Sequence, residues 1–493
     1  MKILFVSSEG VPYSKTGGLA DVVGALPQAL VELGHEVAVL LPRYRGNPVE
    51  KIAQRSLTIS LSRAETRFPA IVNAGKQGGV AYYLLDDPFL FDRPQLYGDK
   101  SGDYPDNPER YATFSRGAIE FVKQVWMPDV FHCHDWQTGL VPALLRTVYA
   151  SDPAVNHIPV IFTIHNLAYQ GVFDRSVLER VGLPDSLFAL NGMEFYGHVS
   201  FLKGGLVLSD FLTTVSRTYA EEIQTAEYGH GLESVIRLRA DHLEGILNGV
   251  DYAVWDPKVD TKIAAKYSTR SMTGKQACKK DLLQAMGLPA DNLKRPVVGI
   301  VSRFTDQKGF DLLAEVADAL LQEDLALVAL GTGAPEYEEL FRALAVRAPD
   351  RVAVKVAYDD TLAHKIEAGA DMFLMPSRFE PCGLNQIYSL RYGTVPVVRA
   401  TGGLEDTIEP WDSKSGKGTG FKFSKYTGQA LLECLKQALA VYKEPKAWRK
   451  IQTRGMGMDF SWKASAAAYA KLYERARKAR IAQAAPASNQ GRA

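Results

Sequence analysis

The stretch from Lys2 to Pro27, KILFVSSEGVPYSKTGGLADVVGALP, decides the fold, because it reads as a strand, a loop and a helix in succession. KILFVSS is a short apolar run of strand character that ends in a polar loop. The loop carries Lys15, Gly17 and Gly18, and the pattern beyond it predicts a helix from about Leu19. Bare glycine backbone admits a ligand closely, and the unpaired N–H groups of a helix start favour an anion. Lys15 adds a point charge beside them. Neither the dinucleotide fingerprint G-x-G-x-x-G nor the P-loop G-x-x-x-x-G-K-[ST] opens this segment. The plain alternative is a glycine turn that packs strand on helix, with Lys15 merely solvated. The same Thr-Gly-Gly-Leu-X-Asp core returns in ATGGLEDTI, Ala400 to Ile408, after the strand-like TVPVVRA. This repeat favours the ligand reading. It gives Thr401, Gly402 and Gly403 a similar role, toward the same anion or a neighbouring hydroxyl.

Working outward, short apolar runs recur with helical patterns between several of them: EVAVLLP, VAYYLLD, DVFHCHD, PVIFTIHN and FLTTVS. The series restarts at Pro296 with PVVGIVSRF, LALVALGTG, RVAVKVAY, DMFLMPS and TVPVVRA. Such alternation predicts an α/β chain of two Rossmann-like, doubly wound domains in tandem. The 493 residues suit two or three domains. The reading places an N-terminal domain at 1–246 and a C-terminal domain at 247–458 that opens with a hinge region, Leu247 to Arg295, in which LNGVDYAVWDPKVD is followed by a polar, mostly helical segment. An amphipathic helix at 459–481 is expected to pack back on the N-terminal domain, and a tail at 482–493 is expected to be disordered. Two such domains facing each other offer a deep cleft, with ligands beyond the carboxyl ends of the strands.

Composition narrows the function. Lys and Arg total 57 against 56 for Asp and Glu, a net charge of +1 without long same-sign runs, which disfavours nucleic acid as the main partner. The four cysteines, Cys133, Cys278, Cys382 and Cys434, form no Cys-x-x-Cys pair and suit reduced thiols in a cytoplasmic protein. The opening apolar run is too short for a signal peptide, and no run approaches the ~18 apolar residues of a membrane span.

Three further motifs end predicted strands. VSRFTDQKG, Val301 to Gly309, sets Arg303 and Lys308 in one loop, a pair suited to charge developing on a diphosphate leaving group. MPSRFEPCGLNQIYSLRYG, Met375 to Gly393, puts Glu380 in a turn before a helix, where it can accept from sugar hydroxyls or simply cap the helix. The helix start at Gly383 and Leu384 faces phosphate or hydroxyl groups, and Cys382 reads as a packed or hydrogen-bonding thiol. HCHDWQTG, His132 to Gly139, and FTIHNLAYQG, Phe162 to Gly171, are open to two readings. His132, His134 and Asp135 could ligate a metal, but the other half of a zinc pattern is missing. Alternatively, Asp135, Trp136, His165 and Asn166 line a sugar cleft, with the indole under a pyranose ring. No serine-hydrolase elbow or H-E-x-x-H motif occurs.

Taken together, KTGGLADVVGALP, HDWQTGL, TIHNLAYQG, LNGVD, SRFTDQKG, PSRFEPCGLNQ and TGGLEDTI, in this order and over nearly the whole chain, resemble the bacterial glycogen synthases and plant-type starch synthases. The resemblance implies a GT-B-type architecture and transfer of glucose from ADP-glucose to the non-reducing end of an α-1,4-glucan, with retention and with no metal or other cofactor. It implies that Lys15, Gly17 and Gly18 serve the nucleotide sugar, that Arg303 and Lys308 hold its diphosphate, and that Glu380 binds the donor glucose. His165 would lie beside the anomeric centre and Tyr358 would stack on adenine. Asp21, Asp135, Asn166 and Asn248 fall in matching motifs with roles left open. Many retaining transferases carry a second glutamate eight positions after the first; here that residue is Tyr388, which leaves the ribose contact unassigned. With no second carboxylate placed for a covalent intermediate, a front-face reaction is expected, the leaving phosphate taking the acceptor's proton. Domain closure is expected to exclude water. The rivals are a UDP-glucose synthase, a glucan phosphorylase with pyridoxal phosphate on a lysine, and a non-catalytic glucan-binding protein, which would lack the cationic pair or Glu380.

Overall fold

The computed structural model describes residues 1–47, 55–56 and 70–484, and they form two compact units. The first comprises residues 1–215, 220–249 and the chain from Trp462; the second comprises residues 216–219 and 250–461. Of the tail expected at 482–493, residues 485–493 lie outside the described residues, and the last helix continues to Ala484.

The strands of the first unit's main sheet are β1 (Lys2–Val6), β2 (Glu36–Pro42), β3 (Arg55–Ser56), β4 (Ala70–Gln77), β5 (Val80–Asp86), β6 (Val130–His134), β7 (Val160–Ile164), β8 (Phe211–Thr214) and β9 (Leu243–Gly245). They pair in the order β9-β8-β7-β6-β1-β2-β5-β4-β3. All six apolar runs predicted from the first half are strands of this sheet. The pattern missed β3 and β9, which are very short, and β4, which runs antiparallel to β5 near the sheet edge with only part of its side chains buried. β1 pairs in parallel with β2 on one side and β6 on the other, so Phe5 stands opposite both Val39 and His132. The chain winds outward from β1 in one direction and later in the other. The crevice beyond the carboxyl ends of β1 and β6 is therefore this sheet's topological switch point.

Helix α1 (Gly18–Glu32) covers one face of this sheet through Leu19, Val22, Val23, Leu26 and Leu30. The last helix, α2 (Trp462–Ala484), joins the same core through Trp462, Ala466, Tyr469, Leu472, Tyr473 and Ala476, the three- and four-residue spacing of a helix face. The junction is tight. A β-carbon on Gly249 of the LNGVD segment would lie 2.6 Å from the Trp462 backbone, and Ser465 Oγ donates to Leu247 O at 2.5 Å.

The second unit has strands β10 (Val297–Val301), β11 (Ala326–Gly331), β12 (Val352–Val356), β13 (Met372–Met375), β14 (Val395–Arg399) and β15 (Phe421–Phe423), all parallel, in the order β12-β11-β10-β13-β14-β15. This is the Rossmann order, with its switch point between β10 and β13. The hinge is irregular over LNGVDYAVWDPKVD; in the polar segment after it, predicted to be mostly helical, an α-helix forms at α3 (Thr273–Ala285) and a short 3-10 helix at Ala290–Lys294. Side chains of Asp251, Asp256 and Asp260 each accept a backbone N–H two residues on, from Ala253, Lys258 and Lys262 at 2.8–2.9 Å. Three such turns offer the backbone a local alternative to helix. Among the described residues no helix is long and apolar enough to cross a membrane.

Leu472 is fully buried where α2 meets the first sheet. Leu472→Ala is expected to cost about 2–5 kcal/mol in that unit. Native-state hydrogen exchange should show faster exchange in β1 and α1 with β10 unchanged; equal acceleration in both units would contradict the division.

Candidate functional site

Each unit gathers most of its predicted residues near a switch point, Asn248 and Tyr358 apart. In the first, the loop after β1 returns to α1 through Lys15, Thr16 and Gly17. Lys15 Nζ pairs with Asp21 Oδ1 at 2.6 Å, and both side chains are partly exposed. The helix begins at Gly18, one residue before the expected Leu19. Gly17 has extended backbone, φ −156°, and a β-carbon there would meet no atom within 4 Å. The protein itself therefore gives no reason for glycine at this position, and the open space suits a ligand.

The inner face of the turn is closed by a residue that the sequence reading did not name. Glu9, buried three residues past the end of β1, fills it. Its Oε2 accepts from Thr16 N at 2.5 Å and Gly17 N at 3.3 Å, its Oε1 accepts from Thr16 Oγ1 at 2.9 Å, and Tyr97 Oη donates to Oε1 at 3.0 Å. Burial pushes the Glu9 carboxyl above its ordinary range, against these hydrogen bonds. Glu9 and Tyr97 were not among the residues expected from sequence; an acid three residues past a mostly buried strand was the available signal.

Beyond β6 and β7, Asp135 Oδ1 accepts from His165 N at 2.7 Å, and the Asn166 N–H also bonds to this carboxylate. Asp135 has φ +55°, a left-handed conformation that a non-glycine residue holds at a cost, as functional sites often require. His134 Nδ1 and His165 Nε2 lie 3.0 Å apart. His132 uses both nitrogens inside the protein, Nε2 with Thr163 Oγ1 at 2.7 Å and Nδ1 with Tyr473 Oη at 2.8 Å, which leaves it nothing to offer a metal. Burial holds all three histidines neutral, His165 down to about 3, and pushes the Asp135 carboxyl up to about 7. One neighbour, Trp136, differs from the expectation, and Asn248, whose role was left open, lies elsewhere. Trp136 is buried, edge-on to Tyr111 at 5.0 Å with Gly171 packed on its ring, so its face is not free to underlie a sugar. Asn248 is buried in the LNGVD junction with Oδ1 unpartnered.

In the second unit the loops after β10 and β13 carry the charges. Lys308 Nζ donates to Glu380 Oε2 at 2.7 Å, and Ser377 Oγ donates to the same oxygen at 2.9 Å, leaving Oε1 without a partner among the described residues. The Arg303 side chain is exposed and likewise has none. Helix α4 (Asn385–Tyr392) starts beside them, held by Asn385 Nδ2 donating to Val301 O at 2.6 Å. Gly383 and Leu384 are half-buried ahead of it, and Cys382 is buried. Tyr358 stands apart after β12, 81% exposed, a ring free to stack.

The second TGGL turn differs from the first. Thr401, Gly402 and Gly403 are buried, and β-carbons on the glycines would fall 2.0 Å from Glu380 O and Cys382 O. Gly403 N donates to Glu380 O at 3.0 Å. These glycines let one loop lie on another, correcting the expectation that they face a ligand. Among the described residues no cluster of three His, Cys, Asp or Glu side chains is placed to hold a metal.

Comparison with known proteins agrees with the two-unit division. The starch synthase catalytic domain family matches residues 2–238, and the glycosyl transferases group 1 family matches residues 289–454. A glycogen synthase of Koribacter versatilis (strain Ellin345) is 56% identical over 97% of this chain and 99% of the relative. One from Anaeromyxobacter sp. (strain Fw109-5) is 49% identical over 96% of this chain and 99% of its own. Among solved structures, the catalytic domain of Starch Synthase IV from Arabidopsis thaliana, bound to ADP and acarbose, superposes with a TM-score of 0.88 at 33% identity, covering 97% of this chain and 99% of that one.

Two outcomes follow from this geometry. Gly403→Ala should lower the melting temperature by about 4 °C or more, while Gly17→Ala leaves it unchanged and weakens donor binding. Equal melting losses would remove the distinction between the turns. Because the folded chain keeps a proton on Asp135 up to about pH 7 that the unfolded chain releases near 3.8, this group's stability is full in acid and lost as pH rises to about 7. Urea melts at pH 5 and 7 should therefore show Asp135→Asn gaining stability relative to the parent as pH rises; a constant difference would mean that the carboxyl is ionised throughout.

Proposed function

On the premise that this chain belongs to the family of glycogen synthases and starch synthases, we propose that it transfers glucose from ADP-glucose to the non-reducing end of an α-1,4-glucan with retention of configuration. The activity is that of a glycogen synthase, a hexosyltransferase. ADP as the donor's nucleotide is supported by the ADP in the related starch synthase. The four free, buried cysteines suit a reducing, cytoplasmic setting.

The observation that carries the reading is the convergence, at one Rossmann switch point, of an unpaired arginine, a paired lysine and a carboxylate with one open oxygen. Arg303 and Lys308 present positive charge where the carboxyl ends of β10 and β13 open a crevice, and a diphosphate leaving group develops negative charge as its bond to the sugar breaks. Lys308 leaves its Glu380 partner in part when it meets that charge, and Glu380 is then free to accept from sugar hydroxyls through Oε1 and, increasingly, Oε2. Tyr358 is exposed enough to stack on a nucleobase. In the first unit, Lys15 and the open outer face of Gly17 serve the donor, while Asp135 and the neutral His165 serve the reacting sugar and its acceptor. A neutral imidazole is well suited there, because it hydrogen-bonds hydroxyls without repelling an oxocarbenium-like centre.

A front-face reaction follows. The bond from the anomeric carbon to the diphosphate oxygen breaks, the acceptor hydroxyl adds on the same face, and its proton passes to the departing phosphate. No protein carboxylate is asked to form a covalent intermediate.

Purified protein given labelled ADP-glucose or UDP-glucose and glycogen, with and without EDTA, should incorporate label from ADP-glucose in both conditions. Arg303→Ala and Lys308→Ala should each lower kcat on the order of 10²-fold. Preferred transfer from UDP-glucose would reassign the donor, and near-normal turnover in either variant would remove that side chain from the leaving-group site.

A further inference from the structure

The KTGG turn is built around an anion that belongs to the protein. Glu9 is 4% exposed, and its carboxylate accepts from two consecutive backbone amides, Thr16 and Gly17, from the Thr16 hydroxyl and from the Tyr97 phenol. A concave pair of successive N–H groups is the arrangement that elsewhere binds phosphate. Here a side chain occupies it from within.

The scaffold behind the carboxylate is itself fixed. Ser8 Oγ and Tyr97 Oη lie 2.8 Å apart, and Asn107 Nδ2 donates to Tyr97 O at 2.9 Å, so the tyrosine is held at both its phenol and its backbone. Ser7 Oγ donates to Glu9 O at 2.8 Å, and Gly10 and Ser14 exchange backbone hydrogen bonds at 3.0 and 3.1 Å, closing the loop on itself. The outer face of the same turn is empty at Gly17 and charged at Lys15.

We propose that Glu9 is a positioning residue: it fills the amide pair of the turn from inside, so that the turn keeps its shape and Lys15, not the amides of Thr16 and Gly17, meets the donor's anion. This deepens the function proposed above and rests on it, since it takes Lys15 to act on the donor. A carboxylate fits this position because it only accepts, and all four of its neighbours donate. Burial, which pushes its carboxyl upward, means that the ionised form is held at a cost to stability. A group retained at such a cost, with its hydrogen bonds directed mainly at one loop, serves the loop's geometry more than the stability of the fold.

Glu9→Gln keeps the size and one acceptor oxygen and loses the charge; Glu9→Ala empties the amide pair. The test combines melting temperature, hydrogen exchange of the peptide spanning residues 10–19, and donor kinetics, with Lys15→Ala and the double variant alongside. In Glu9→Gln the melting temperature should be unchanged or higher, exchange in the turn faster with β1 unchanged, and kcat lower by about tenfold to a hundredfold. Adding Lys15→Ala should then cost less than it does in the parent, because both changes disable one contact. Unchanged exchange in the turn, in Gln and Ala variants alike, overturns the role of Glu9 in holding it. Faster exchange with parental kcat, while Lys15→Ala is impaired, overturns the positioning of Lys15. Parental turnover in Lys15→Ala overturns the proposal through the functional reading beneath it, whatever the exchange data show.

Discussion

Three backbone contacts hold the charged site of the second unit together. A β-carbon on Gly309 would lie 2.0 Å from Pro376 O, one on Gly402 the same distance from Glu380 O, and one on Gly403 the same distance from Cys382 O. No side chain fits at those separations, so the loops after β10, β13 and β14 are stacked main chain on main chain. Lys308 immediately precedes Gly309, and Glu380 lies in the loop that Gly402 and Gly403 support. The 2.7 Å contact between Lys308 and Glu380 is thus set by backbone geometry and does not depend on two flexible side chains finding each other. A mostly buried ion pair is a poor source of net stability, since desolvation offsets attraction. Its place at a sheet's switch point is better understood as charge stored for a ligand.

The first unit solves a different problem. Its switch point holds polar groups that burial has pushed toward neutrality: three uncharged histidines and an aspartate pushed up to about 7. The left-handed Asp135 marks the strain of holding a carboxylate against the His165 and Asn166 amides. One unit therefore presents cations, and the other presents hydrogen-bonding groups of low charge. That division matches a reaction in which a diphosphate must be stabilised while a cationic sugar centre is left unopposed.

Much of this was legible in the chain. Apolar runs named all six long parallel strands of the first half and five of the six strands of the second unit, because a strand buried on both faces carries an uninterrupted hydrophobic signature. β4 escaped because a strand near the sheet edge with few buried side chains is half polar, and β15 because three residues make no pattern. Candidate charges were placed correctly at strand ends, since the alternation of elements fixes where loops open. The likeness between KTGGL and TGGLE misled for a physical reason: glycine records that something must come close, without saying whether it is a ligand or another loop. Gly17 has open space beside it and Gly403 has a carbonyl. Trp136 misled in a similar way, because an aromatic residue in a motif reads alike whether its face is open or covered by Tyr111 and Gly171.

By itself, then, the sequence determined the class of fold, the restart that makes two units, the strand-end addresses of Lys15, Arg303, Lys308 and Glu380, and the family likeness. These depend on periodicity and on short-range order along the chain. Tertiary structure alone decided that Glu9 closes the KTGG turn from inside, that Tyr97, distant in sequence, holds it there, that Tyr473 of the last helix anchors His132, and that the second glycine pair serves packing. Those facts rest on side-chain contacts between residues 7 to 341 positions apart and on how closely one loop approaches another. A linear pattern carries no measure of either.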